Sequence, residues 1–478
     1  MTPLTGFSPD ADQTAPGLLS DCDNLIPALI GMEGAPEPVA PSGIPPLPAA
    51  CRGAAVVYKL NNTRRMLAAT SVGIYELIAG AWVDQSRVGG YTGSADSRWS
   101  IAQFGDATLM ANGAQPIQRS TTGAFADIAT APAAEVIFSA GSFVMALNTD
   151  GSTDQWHCCA VFDDTDWTPS LTTQSASGRL VATPGKLTAG ARLGEYAIAY
   201  KERSIYLGQY VGPPAIWDWS QISGGDSGCV GKLAICDIGG AHFFVGPDNF
   251  WLFDGTRPIP IGDGIVRRWF IEQSSADYLY KTTCVFDREN NRVWVFYPKA
   301  GSSECDGVLV YHVQSKQWGR ADRSVQTALM HVSPGITFDT WDTAGSSFDA
   351  MPSVGFDSPF WSSGARVLSV FDAANQLQSY TGNSVSSSLT TGEVGDDDAL
   401  SKLQQIRLRY SSAPSAATVQ TLYSANSGTG FVVGASGSLN DGKFDVLRSA
   451  RWHKATVSFT GPVRITHINA TFKPAGRR

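Results

Sequence analysis

"RMLAATSVGIYELIAGAWVDQS", residues 65–86, reads as three short strands, 66–70, 74–78 and 81–84, with turns around Val72-Gly73 and at Ala79-Gly80. β-Branched and aromatic residues fill the strands, and glycine supplies the turns. The same rhythm returns in "WSIAQFGDATLMANGAQPIQRSTTGAFADI" (99–128), "VIFSAGSFVMALNTDGSTDQWHCCAVFDDTDWTP" (136–169) and "YAIAYKERSIYLGQYVGPPAIWDWSQI" (196–222). It continues in "GGAHFFVGPDNFWLFDGTRPIPIGDG" (239–264) and "TTCVFDRENNRVWVFYPKAGSSECDGVLVYHVQSKQWGRAD" (282–322). The closing aromatics Trp82, Phe125, Trp167 and Trp217 are spaced by 43, 42 and 50 residues, the period of a four-stranded propeller blade. A four-stranded sheet cannot bury both faces alone, whereas a ring of such sheets can. The expected fold is therefore all-β: a β-propeller of about six to eight blades over 52–390.

Composition agrees with this reading. Of 478 residues, 43% are hydrophobic and only 16% charged, with 49 Gly and 26 Pro, a mix that favours strands and turns over helices. The formal net charge of −8 argues against a protein that grips phosphate backbones by counterion release. The start "TPLTGFSPDADQT" has neither the basic nor the apolar part of a secretory signal, and no later run reaches the length of a membrane span. A soluble product made in a cytoplasm is expected. Eight scattered cysteines are expected to be reduced and mostly buried.

Residues 1–51 stand apart. "PEPVAPSGIPPLPAA" places prolines 36, 38, 41, 45, 46 and 48 so densely that the backbone is held extended and short of ladder donors. An arm is expected here, with Phe7, Leu18, Leu19, Leu25, Ile26 and Leu29 as apolar beads that pack on this chain or a neighbour, and we assign them to an assembly interface. Deleting residues 1–35 is expected to leave a folded monomer unable to assemble. The loose stretch from 335 to 382 reads as β structure with long loops. Residues 391–478, with alternation in "LQQIRLRYSS", suggest a small sandwich or strands that return to close the ring.

Sites of chemistry are sparse. In "WLFDGTRPIPIGDGI" (251–265), Asp254-Gly255 reads as a hairpin turn and "RPIPIG" as the connection to the next sheet, since no helix start completes a phosphate site. His157, Cys158 and Cys159 are soft ligands, but no Cys-x-x-Cys occurs, and buried thiols on a strand are the reading. Asp163, Asp164 and Asp166, like Asp396, Asp397 and Asp398, read as turn and surface acids, because adjacency does not hold two carboxyls across a cleft. "STDQW" and "DDTDW" keep fragments of the sialidase-type turn without its glycine, and no Gly-x-Ser-x-Gly elbow occurs. No enzyme activity, cofactor or metal is expected.

The opening "FSPDADQTAPGLLSDCDNLIPALIGMEGAPEP" and the pieces "GKLAICDIGGAHFFVGPDNFWLFDGTRPIPIGDGIVRRWF" and "CVFDRENNRVWVFYP…VLVYHVQSKQW" resemble the tail nozzle (tail tubular, or packaged-DNA stabilisation) proteins of short-tailed bacteriophages, over roughly residues 5 to 330. The resemblance implies a structural virion protein, assembled in the host cytoplasm into a ring of six copies in the tail. Such a ring sits below the adaptor proteins, extends the DNA channel, helps retain the genome, lets double-stranded DNA pass on ejection and offers a docking surface for fibres or spikes. Six copies at −8 would carry about −48, so an acidic wall would repel the DNA backbone and let it slide. Asp396, Asp397 and Asp398 are assigned to that wall. The alternative is a carbohydrate-binding or glycoside-cleaving propeller in host receptor recognition, with Trp and Tyr at blade tips stacking on sugars.

Overall fold

The computed structural model describes residues 1–224, 226–332, 366–425 and 430–476. Gly53–Tyr58, Arg64–Ala69, Ile74–Ile78 and Ala81–Asp84 pair antiparallel in sequence order as blade 1. Ala79 and Gly80 both take positive φ at the last turn, as a tight hairpin of this kind requires. Blades 2 to 6 follow over 100–127, 134–179, 187–221, 235–260 and 283–325. Blade 7 comprises Thr327–Val332, Arg366–Phe371 and Leu377–Gly382, and its fourth strand is Glu37–Val39 from the N-terminal segment. Six of these units are separate four-stranded sheets, while blade 6 is continuous with a ten-stranded sheet. First strands of successive blades touch in order, and that of blade 7 touches that of blade 1. The fold is a β-propeller.

Three sequence expectations change here. The ring is closed by an N-terminal strand, not by C-terminal ones; Pro38 is tolerated in it because it lies on the outer edge of blade 7. Pro258–Pro260 is not a connection but the outer strand of blade 5, pairing Phe253 with Pro258 and Trp251 with Pro260. The turn before it is as read: Gly255 has φ +97° and the Asp254 carboxylate accepts the Thr256 N–H at 2.9 Å. The one α-helix among the described residues, Arg267–Gln273, links blades 5 and 6 and has no counterpart in the sequence reading. The periodic aromatics sit on or just before outer strands: Trp82 and Trp217 within them, Phe125 and Trp167 ahead of them. Of the loose stretch, 335–365 lies outside the described residues and 366–382 forms blade 7.

The N-terminal segment is not a free arm. Leu25–Pro27 pairs with the outer strand of blade 6 at Arg320, then with Met32–Gly34, which pairs with the C-terminal strand Arg464–Gly476. Gly6–Phe7 and Leu18–Asp23 lie parallel and join Ser386–Thr391 in a second, seven-stranded sheet. The two sheets sandwich a core of Leu389, Ile406, Val419, Phe444, Val457 and Ile465. Phe7, Leu19, Leu25 and Met32 join that core without a break to Phe243, Phe250 and Trp318 of blades 5 and 6. Propeller and sandwich share one hydrophobic interior.

The joint is tight where this N-terminal segment, a strap of strands from Thr2–Pro3 to Glu37–Val39, crosses blade 6. A Cβ at Gly319 would lie 2.6 Å from the Leu25 carbonyl oxygen and 2.8 Å from the Ile26 Cα, both backbone atoms that cannot swing away. Gly319→Val is therefore expected to cost about 2 kcal/mol by overpacking. A lowered denaturant midpoint would show it.

Candidate functional site

At one mouth of the propeller, charged side chains from several blades meet. Arg52 immediately precedes the first strand of blade 1, and Arg98 and Lys281 stand two residues ahead of the first strands of blades 2 and 6. All three point at one carboxylate, Glu304, in the loop between the second and third strands of blade 6. Arg52 Nη1 donates to Oε1 at 3.0 Å, Arg98 Nη2 to Oε2 at 3.1 Å, and Lys281 Nζ to Oε1 at 3.3 Å. Lys281 also pairs with Asp96 at 2.7 Å and donates to the Ser303 carbonyl at 2.8 Å. Lys232, ahead of blade 5, pairs with Glu135 of blade 3 and donates to the Arg98 carbonyl at 2.9 Å. The cations are buried and the carboxylates half exposed.

Electrostatics explains why this cluster holds. Burial works against ionisation of Glu304, but the Arg98 and Arg52 charges outweigh it and hold its pKa below the usual carboxylate range. Burial, reinforced by the like charge of Arg52, pulls Arg98 down. The carboxylate thus bolts blade 6 to blades 1 and 2. Glu304→Gln would leave three buried cations without their shared anion. The expected cost is about 2 kcal/mol, below that of a fully buried pair because Glu304 stays half exposed. Chemical denaturation should show it, with Glu304→Asp recovering part of the loss.

The strap carries the residues assigned to an assembly interface. Phe7, Leu18, Leu19, Leu25 and Ile26 are all buried within their own chain. This corrects that assignment for five of six positions: Phe7, Leu19, Leu25 and Ile26 face the sandwich and blade cores, and Leu18 lies against the sandwich where it lines a groove, because their strands are paired within the molecule. Only Leu29 is exposed, at a tight turn that Gly31 (φ +78°) closes.

Asp396, Asp397 and Asp398 form an exposed turn leading into strand Leu400–Ser412. Asp397 accepts from Trp452 Nε1 at 2.7 Å, and Asp396 from the Asp398 N–H at 2.7 Å. The turn flanks an apolar groove of about 420 Å³ between the strap and the sandwich, lined by Leu4, Leu18, Val394, Trp452, Ile468 and Phe472 among others.

His157, Cys158 and Cys159 are buried in and beside blade 3. Nε2 of His157 lies 2.7 Å from the Trp167 carbonyl, and burial pushes both thiols up to about 12, the behaviour of inert core groups. Asp163 and Asp166 cap their own turns, accepting the N–H of Thr165 and Thr168 at 2.9 Å, and Asp164 pairs with Arg119 at 2.5 Å. No group of His, Cys, Asp and Glu suited to a metal occurs among the described residues. The mouth cluster escaped the sequence reading because its members lie up to 252 residues apart. The signal they share is position, one basic residue just ahead of an inner strand.

No protein-family profile and no curated protein matches the chain. Solved propellers do. YCF48 bound to D1 peptide is 11% identical with a TM-score of 0.36, covering 73% of this chain and 95% of that one. YCF48 from Cyanidioschyzon merolae is 9% identical at 0.35, covering 72% and 98%. The extracellular domain of the putative hybrid two component system BT4673 from B. thetaiotaomicron is 7% identical at 0.42, covering 80% and 44%.

Proposed function

We propose that this chain is a structural subunit of the tail nozzle of a short-tailed bacteriophage, a ring of six copies without catalytic activity. The observation that carries the reading, beside the resemblance of residues 5 to 330, is the strap. One segment pairs with blade 6, blade 7 and both sheets of the sandwich, so propeller and sandwich behave as one stiff body. Stiffness of this kind suits a wall that holds a packed genome under load. The mouth cluster puts salt bridges across the propeller axis, so in this reading DNA runs through the bore between copies and not through the blades. Adaptor proteins would bind above and fibres or spikes at the side.

Two measurements test this. Negative-stain images of the purified chain should show six-fold rings, and antibody labelling should find it in the tail of the particle; a protein absent from the particle would end the reading. If the Asp396–Asp398 turn faces the bore, changing Asp396 and Asp398 to Lys should slow genome release and spare assembly. Asp397 is left intact to keep its bond to Trp452. Unchanged release kinetics would remove that turn from the wall.

A carbohydrate-binding role has one observation in its favour. A polar cleft of about 350 Å³ gathers Ser20, Asp21, Trp269, Gln273, Lys299 and Arg320. Binding on a glycan array, lost in Trp269→Ala, would favour it over the nozzle.

A further inference from the structure

We propose that Phe162 of one copy seats in the apolar groove of the next, making a head-to-tail contact between copies; the inference rests on the ring reading above. Phe162 is 77% exposed and holds φ +59°, a left-handed conformation that bulky residues avoid. Its loop is not loose. Phe162 donates its N–H to the Ser142 carbonyl at 2.9 Å, Val161 to Thr173 at 2.9 Å and Ala160 to Asp166 at 2.7 Å. In the same loop Trp167 is fully buried, and its Nε1 donates to the Asp164 carbonyl at 2.9 Å. A built pedestal therefore holds a strained aromatic outward, with Leu171 exposed on the same loop. Strain of this sort persists where the surroundings over-determine it, and a rigid exposed aromatic is the usual anchor of an interface.

The groove supplies the complement. Strand Arg464–Gly476 is paired on one side by Met32–Gly34 and Thr2–Pro3 only as far as Ile468. Beyond that point Ala470 and Phe472 line the groove beside Val394, which is 47% exposed, and Leu403 and Ile406 lie at its core side. About 420 Å³ falls within the roughly 300–1,000 Å³ of sites that enclose a compact apolar group.

Placement decides the occupant. Phe162 belongs to blade 3, whereas the strap and sandwich that form the groove join blades 6 and 7. In the closed order of first strands, blades 6 and 7 are the two farthest from blade 3. Knob and groove thus sit on opposite flanks of one chain, the arrangement of a heterologous contact, which makes a ring when its rotation closes. A second copy is the occupant that supplies one knob for every groove.

Sedimentation of the full chain tests the contact. Phe162→Asp and Val394→Asp each alter an exposed side chain, and each is expected to weaken self-association about 100-fold while leaving circular dichroism unchanged. Mixed in equal amounts, the two variants should form dimers and stop there, because one retains an intact groove and the other an intact knob. If either variant unfolds, Phe162→Ala and Val394→Ser replace it with the same expected outcome. Rings that survive in both variants, or a mixture that stays monomeric, overturn the contact and leave the nozzle reading standing. A wild-type chain that is monomeric when pure yet found in the tail does the same, whereas absence from the particle overturns the nozzle reading itself.

Discussion

A chain lacking residues 1–35 is expected not to fold, instead of giving the intact monomer that an arm would leave behind. The deletion strips Leu18–Asp23 from the edge of Ser386–Thr391 and removes both strands that link blade 6 to Arg464–Gly476. It also takes Phe7, Leu18, Leu19, Leu25, Ile26 and Met32 out of the interior. At about 1.5–3 kcal/mol for each fully buried side chain, their loss alone rivals the roughly 5–15 kcal/mol of a whole domain. Circular dichroism and limited proteolysis of the truncated chain check this: native strand content with a protease-resistant sandwich would show the strap to be dispensable. Leu29→Ala provides the contrast. Its side chain is exposed, so its effect on stability should stay within about 0.5 kcal/mol.

The contrast between Leu29 and its neighbours shows what the sequence carried. Blade strands were legible because each is local: apolar alternation, a Gly or Asn turn, and a return within a few residues put strands at 66–70, 74–78 and 81–84, against 64–69, 74–78 and 81–84 in the fold. Periodic aromatics marked the outer part of successive blades for the same reason. Proline density in 36–48 announced extended backbone, and within it Glu37–Val39 is a strand. What it could not announce was the partner. Glu37–Val39 pairs with Leu377–Gly382, some 340 residues away, and an edge strand with a proline looks like a linker until the sheet beside it is known. The beads on residues 7–26 were rightly read as packing on something, since apolar side chains at that density are not left in water. Choosing between own chain and neighbour needed the fold. Glu304 is the extreme case: an acid in "GSSECDG", two residues before Asp306, has no local mark of the three cations that converge on it.

Acid is expected to weaken the blade that the N-terminal strand closes, through His331 on the first strand of blade 7. His331 is buried, its Nδ1 has no hydrogen-bond partner among the described residues, and burial followed by the charge of Arg64 lowers its pKa from 6.5 to about 4. A histidine with a depressed folded pKa favours the native state above its unfolded pKa, where both states hold it neutral. As pH falls below 6.5 the unfolded chain takes up a proton that the native one refuses, and stability drains until about pH 4. At about 1.36 kcal/mol per unit, that window is worth on the order of 3 kcal/mol. His157, His242, His312 and His453 are lowered by burial as well, so they act with the same sign. His331→Gln separates the one from the many: denaturation at pH 7, 5.5 and 4.5 should show the wild type losing its advantage over the variant as acid is added. A gap that stays constant across the three would mean that His331 titrates as freely in the native blade as in the unfolded chain, and that the closure of the ring does not depend on keeping it neutral.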